Sequence, residues 1–162
     1  MEKMVSANLA TVKRVQDVIR DLSKQVFYVG EKHGTANAIK LALNMNIALV
    51  AMALSEGILF VRGYGIEPSK FVEILNSTYF KTGLSEKKGP KMLQDDFEPS
   101  FHLKNMLKDL DLATSIAQAT GISLPNTTIA QQIFRAANNS GFSELDYTSI
   151  YAFLAQINGV KK

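Results

Sequence analysis

Val29-Gly30-Glu31-Lys32-His33-Gly34-Thr35-Ala36-Asn37-Ala38-Ile39-Lys40-Leu41-Ala42-Leu43-Asn44 is the stretch on which the reading of this chain turns. On its left lies Gln25-Val26-Phe27-Tyr28-Val29, a β-branched and aromatic run stopped by Gly30. That is the pattern of a strand, and the only such run the sequence offers. On its right the periodicity becomes helical over residues 36–64, with Gly63 and Gly65 to end the helix. Lys40 and Asn44 are four apart and share one face of that helix. Their neighbours Ile39, Leu41, Ala42, Leu43 and Met45 are apolar. A lysine on an apolar helix pays desolvation, which lowers its pKa and suits proton transfer. The competing reading is a lysine that snorkels to solvent beside a satisfied amide. Gly34 and Ala36 in the turn allow a ligand or another backbone to come close.

Working outward, almost everything else is helical. Residues 10–23 place Val12, Val15, Val18, Ile19 and Leu22 on one face of a helix. Pro68 opens a helix to about Ser77. Residues 78–91 carry glycine and lysine and read as a solvated loop, with at most one short helix near 91–94. Further helices cover residues 103–120, closed by Gly121, and 125–139, stopped at Gly141. The last runs to about Ile157, capped by Asp146 or Thr148. The fold class is all-α: a helical bundle preceded by one helix and one strand. A lone strand is not self-sufficient, so this front piece resembles the end of an α/β domain.

Composition narrows the function. The chain has 162 residues, 46% hydrophobic and 20% charged, with a net charge of +3. One domain with a sizeable core fits that length. With no cysteine, a disulfide scaffold, a thiolate metal site and a cysteine nucleophile are excluded. His33 and His102 alone make a poor zinc site, so no metal is expected. The small net charge does not argue for nucleic acid. The first residues show no secretory pattern, and a cytoplasmic location is expected. Residues 41–61 approach the length of a membrane span. They also carry Asn44, Asn46, Ser55 and Glu56, so a helix buried in a protein core is the expectation, with a partner for Glu56.

A second constellation is Lys108-Asp109-Leu110-Asp111-Leu112-Ala113. By spacing alone it is a solvated charged face with an i, i+3 pair between Lys108 and Asp111. His33 sits in a turn, and His102 is placed to help cap the helix after it. The methionines read as core fillers.

Together the segments are more specific. Val29-Gly30, Gly34-Thr35-Ala36, Lys40 and Asn44 resemble the catalytic helix segment of the β-hydroxyacid dehydrogenases, the 3-hydroxyisobutyrate dehydrogenase family. Asp96-Phe97-Glu98-Pro99, Phe101, Leu103 and Lys108-Asp109-Leu110-x-Leu112-Ala113 resemble its second signature. Gly121-Ile122-Ser123-Leu124-Pro125, Arg135, Gly141-Phe142 and Asp146-Tyr147-Thr148-Ser149 resemble its closing helices. The resemblance covers residues 9–157. It implies that Lys40 is the catalytic acid/base and that Asn44 holds the substrate by a hydrogen bond. It also implies that Lys108 lies near an NAD or NADP cofactor and that Phe101 lines the site. The substrate would be a small carboxylate, a β-hydroxyacid or semialdehyde, which a lysine-lined cleft attracts.

Some features depart from the pattern. Ala36 stands where the family usually has a second glycine, and the turn from Gly30 to Gly34 is one residue longer. No GxGxxG occurs anywhere in the chain, so the main dinucleotide site is not here. The expected organisation is a remnant of a dinucleotide-binding domain over residues 1–30 and a helical catalytic and oligomerisation domain over 31–162. The chain then reads as the C-terminal part of a dehydrogenase, inactive by itself. Two alternatives stand beside this reading: a non-catalytic helical oligomerisation module, and a glyoxylate or succinic semialdehyde reductase of the same superfamily. Imine reductases fit less well, because they generally lack the lysine. The unpaired strand edge and the long apolar helix predict a homo-oligomer, a dimer or higher.

Overall fold

Asn8 starts the first helix: its side chain accepts a hydrogen bond from Ala10 N at 3.0 Å. That helix, α1 (Leu9–Asp21), lies between strands β1 (Glu2–Val5) and β2 (Gln25–Tyr28). The structure, a computed structural model, describes residues 2–160. The strands are parallel, with Glu2 opposite Gln25 and Val5 opposite Tyr28. So the strand read as unpaired has a partner on one edge. Val29 N continues the ladder to Val5 O at 2.9 Å. β1 escaped the sequence reading because four residues, two of them charged, carry no alternation to detect. Its pairing with β2 is non-local. The crossover itself needs a helix, as parallel strands do.

The chain divides into two compact units, one ending at Leu43 and the next beginning at Asn44. Sequence reasoning puts the division after Gly30. The first turns of α2 (Thr35–Gly63) instead belong with the strands, where Ala36 N donates to Ser6 Oγ at 3.3 Å. In this first unit Val12 is buried, while Val18 and Phe27 stay exposed.

The second unit is an all-α bundle. α2 meets the length and apolarity of a membrane span, but its face Ala48, Ala51, Met52, Ser55 and Ile58 is buried in protein. α3 (Pro68–Ser77) begins at Pro68 as expected. The supposed lysine-rich loop is α4 (Gly83–Leu93). A reciprocal cap starts it: Ser85 N donates to Thr82 Oγ1, and Thr82 N donates to Ser85 Oγ, each at 2.9 Å. Gly89 lets α4 lie against α3, since a Cβ there would come 2.9 Å from Val72.

α5 (Leu103–Thr120) and α6 (Pro125–Ala137) match expectation, and α6 runs into a π-helical turn over Asn138–Phe142. A 3-10 turn, Tyr147–Ser149, precedes α7 (Ile150–Ile157). Asp146 caps that turn by accepting from Thr148 N at 3.2 Å. The main core gathers Leu103, Met106, Leu110, Phe134, Ile150 and Phe153. A second cluster holds Leu54, Ile58, Val72, Met92, Phe97 and Tyr151.

Candidate functional site

α5 buries Leu103, Met106, Leu107, Leu110, Ala113 and Ala117. Asp109 falls on that same stripe, three after Met106 and four before Ala113. It is 2% exposed. A buried carboxylate is costly unless it is hydrogen-bonded or paired. Asn44 Nδ2 donates to Asp109 Oδ2 at 2.5 Å, joining α2 to α5. Lys108 Nζ lies 3.5 Å from Asp109 Oδ1, with its side chain 63% exposed.

This arrangement fixes the Asn44 amide. A carboxylate accepts only, so the amide must turn its NH₂ toward Asp109. One N–H and Oδ1 remain to face a ligand, and Lys108 sets a cation on the outer side of the same carboxylate. The structure thus brings Asn44 and Lys108 to one group, Asp109, which sequence reasoning left on a solvated face. The signal was available: Asp109 interrupts an otherwise apolar helical stripe.

The other candidates distribute as follows. Lys40 is exposed and lies on α2, one turn before Asn44. Phe101 packs against the main core, its ring edge-on to Tyr147 at 6.4 Å. The expected Lys108–Asp111 pair does not form. Asp111 accepts instead from Arg135 and Gln131, each at 2.6 Å, which ties α5 to α6. Glu56 is exposed rather than buried, because it points away from the Ala48–Ile58 face. His102 occupies the cap position of α5, but its side chain makes no cap hydrogen bond. His33 is exposed.

Sequence reasoning missed a second buried carboxylate, Asp146, 1% exposed. Its Oδ2 accepts from Lys88 Nζ at 2.8 Å and from Ser100 N and Oγ at 2.9 Å. Its Oδ1 accepts from Thr148 Oγ1 at 2.7 Å. Burial pushes its pKa up, but the Lys88, Thr148 and Ser100 hydrogen bonds outweigh that and hold it to about 2. Every oxygen here is satisfied, so this network is structural.

Residues 34–154 match the family model described as NAD-binding of NADP-dependent 3-hydroxyisobutyrate dehydrogenase. The chain is 33% identical over 150 residues to the uncharacterized oxidoreductase YfjR of Bacillus subtilis, covering 91% of this chain and 52% of that one. It is 30% identical over 129 residues to glyoxylate/succinic semialdehyde reductase 2 of Arabidopsis thaliana, covering 80% and 36%. The chain spans about half or less of the length of the curated relatives it matches. Its fold is that of a 3-hydroxyisobutyrate dehydrogenase from Salmonella typhimurium. There the TM-score is 0.84 at 19% identity, over 91% of this chain and 52% of the other.

Proposed function

This chain belongs to the NADP-dependent 3-hydroxyisobutyrate dehydrogenase family, and we propose that it is the helical catalytic part of an oxidoreductase acting on a small β-hydroxyacid or semialdehyde. The cofactor class is NAD(P). The observation that carries the proposal is the Asn44 amide held by buried Asp109, one helical turn beyond Lys40.

Of this chain's residues, Lys108 is the one the resemblance would set near the nicotinamide end of such a cofactor. Lys108 offers an exposed ammonium, while no GxGxxG turn exists to take the pyrophosphate. When bound, NAD(P) gives or takes a hydride at the substrate carbon. Lys40 moves the proton at the substrate oxygen. Asn44 Oδ1 and its free N–H orient that substrate, and Asp109 keeps the amide from turning. Lys108 draws the carboxylate end and the cofactor toward α5, and Phe101 closes the wall. Positioning of this kind removes most of the entropic cost of bringing reactants together.

The likeness to the Arabidopsis reductase supports the second substrate reading, a glyoxylate or succinic semialdehyde reduction, within the same mechanism. A homo-oligomer belongs to the proposal too. Phe60, Tyr64 and Tyr79 are 77%, 81% and 89% exposed in the helical unit, and apolar surface of this kind favours association. Sedimentation at tens of micromolar is expected to give a dimer or larger, and a monomer there removes this part.

The decisive test is kinetic. The 162-residue chain is expected to turn over no semialdehyde with NADH or NADPH. In a protein that carries it behind a dinucleotide-binding domain, Lys40→Ala is expected to lower kcat by about 10²–10⁴-fold, the usual worth of a positioned acid/base. A variant with near-normal kcat overturns the assignment.

A further inference from the structure

At the far end of α2 the helical unit holds a cavity of about 600 Å³. That is within the range of small-molecule sites. It lies between the last turn of α2, the end of α4 and the outer part of α7. Arg62 is eighteen residues beyond Asn44, roughly 27 Å along the helix at ~1.5 Å per residue. The cavity is therefore separate from the Asn44–Asp109 pair.

Its walls are divided by chemistry. Leu93, Phe142, Ala152, Ala155 and Val160 are apolar. Arg62, Tyr151 and Gln156 bring polar side chains that make no hydrogen bond among the described residues, and Gln156 is exposed. Arg62 is half-buried, and among the described residues its guanidinium makes no hydrogen bond or ion pair. The backbone carbonyls near it do not hold it either. Gly65, at φ +84°, closes α2 by donating to Arg62 O at 3.0 Å, and Ile66 N donates to Val61 O at 2.9 Å.

Tyr151 is 3% exposed, and its hydroxyl has no hydrogen-bond partner among the described residues. The residue is buried as a whole and lines the cavity, so a ligand there can reach the hydroxyl. Burial is the largest influence on the phenol and raises its pKa; Arg62 opposes this and Asp95 adds to it. Asp95, the other charged wall residue, already has an interaction of its own.

A planar guanidinium and one hydroxyl, both without an acceptor, face a mainly apolar cavity. A guanidinium matches a carboxylate in two parallel hydrogen bonds. A phosphate would call for more cations than one. We propose that this cavity is a second ligand site, which takes a small organic carboxylate. Its anionic end meets Arg62 and Tyr151, and its apolar body lies against Leu93, Phe142 and Val160.

Benzoate is a suitable probe, with inorganic phosphate beside it, titrated into the 162-residue chain and followed by amide NMR. Saturable shifts are expected at Gly159 and Val160, with a Kd of order 1–10 mM for so small a ligand. Arg62→Gln is expected to raise that Kd about tenfold or more, and Tyr151→Phe, which keeps the ring in the core, by about threefold or more. Lys40→Ala keeps the original Kd, which separates this site from the proposed catalytic one. No saturation by ~50 mM, equal binding of phosphate, or the same Kd in both cavity variants overturns the proposal.

Discussion

Asp109 is a buried carboxylate that ties α2 to α5 through the Asn44 amide. Its carboxylate is taken out of water, and the Asn44 amide and the Lys108 ammonium compensate for that. Removing the amide takes one charge-assisted hydrogen bond from a carboxylate that keeps other interactions. Asn44→Ala is therefore expected to destabilise the fold by about 1.5–3 kcal/mol, the range for a hydrogen bond to a charged group. Urea unfolding checks this as a lower midpoint with an unchanged slope. The companion variant Asp109→Leu removes the charge as well. The double variant should then cost less than the sum of the two single ones, since both single variants remove the same hydrogen bond. Additive costs would mean that Asn44 and Asp109 do not act as a unit. At the same scale, Lys40 is exposed, so Lys40→Ala should leave the unfolding midpoint near that of the unaltered protein. A loss of turnover in that variant then reports on chemistry rather than folding.

Among the elements, α4 depends most on its neighbours. Its sequence, with Gly83, Gly89 and Pro90 in eleven residues, argues against a helix. The reciprocal Thr82–Ser85 cap starts it, and the Gly89–Val72 approach seats it on α3. Thr82→Ala is expected to cost about 1 kcal/mol through the lost cap. Gly89→Ala separates two opposed effects. Helix propensity gains about 1 kcal/mol, while a Cβ 2.9 Å from the buried Val72 forces the helices apart at about 1–3 kcal/mol. The expected sign is destabilising, and a raised thermal midpoint would show that Val72 yields freely. The same elements explain what sequence could and could not convey. α2, α3, α5 and α6 were legible because each carries an apolar stripe with a proline or glycine at its boundary. β1 and α4 were not, since what stabilises them lies in partners distant along the chain or in a cap without the usual glutamate. In the candidate site, Lys40, Asn44 and Lys108 are proposed from a resemblance, whereas Asp109 shows in the sequence only as a polar break in the apolar stripe of α5.

For the helical unit as a whole, Asp146 is the electrostatic fastener. It joins Lys88 of α4, Ser100 of the connection before α5, and Thr148 of the turn before α7. Its folded pKa of about 2 lies below the ordinary 3.8. The unfolded chain therefore binds the proton more readily than the folded one. Stability from this group is fully present above about pH 4 and is lost as pH falls through the range toward 2. The difference of nearly two units corresponds to about 2 kcal/mol. Glu86, Asp96 and Glu144 are lowered in the same direction by Lys81, Lys91 and Lys104, but they are exposed and add little. Asp146→Asn isolates the buried group. At pH 7 it should be less stable than the unaltered protein, and the gap should narrow by about 2 kcal/mol between pH 5 and pH 2. Denaturant unfolding of both proteins across that range measures it. A gap independent of pH would mean that Asp146 is held by packing rather than by charge, and the three segments it joins would then owe their arrangement to the apolar core alone.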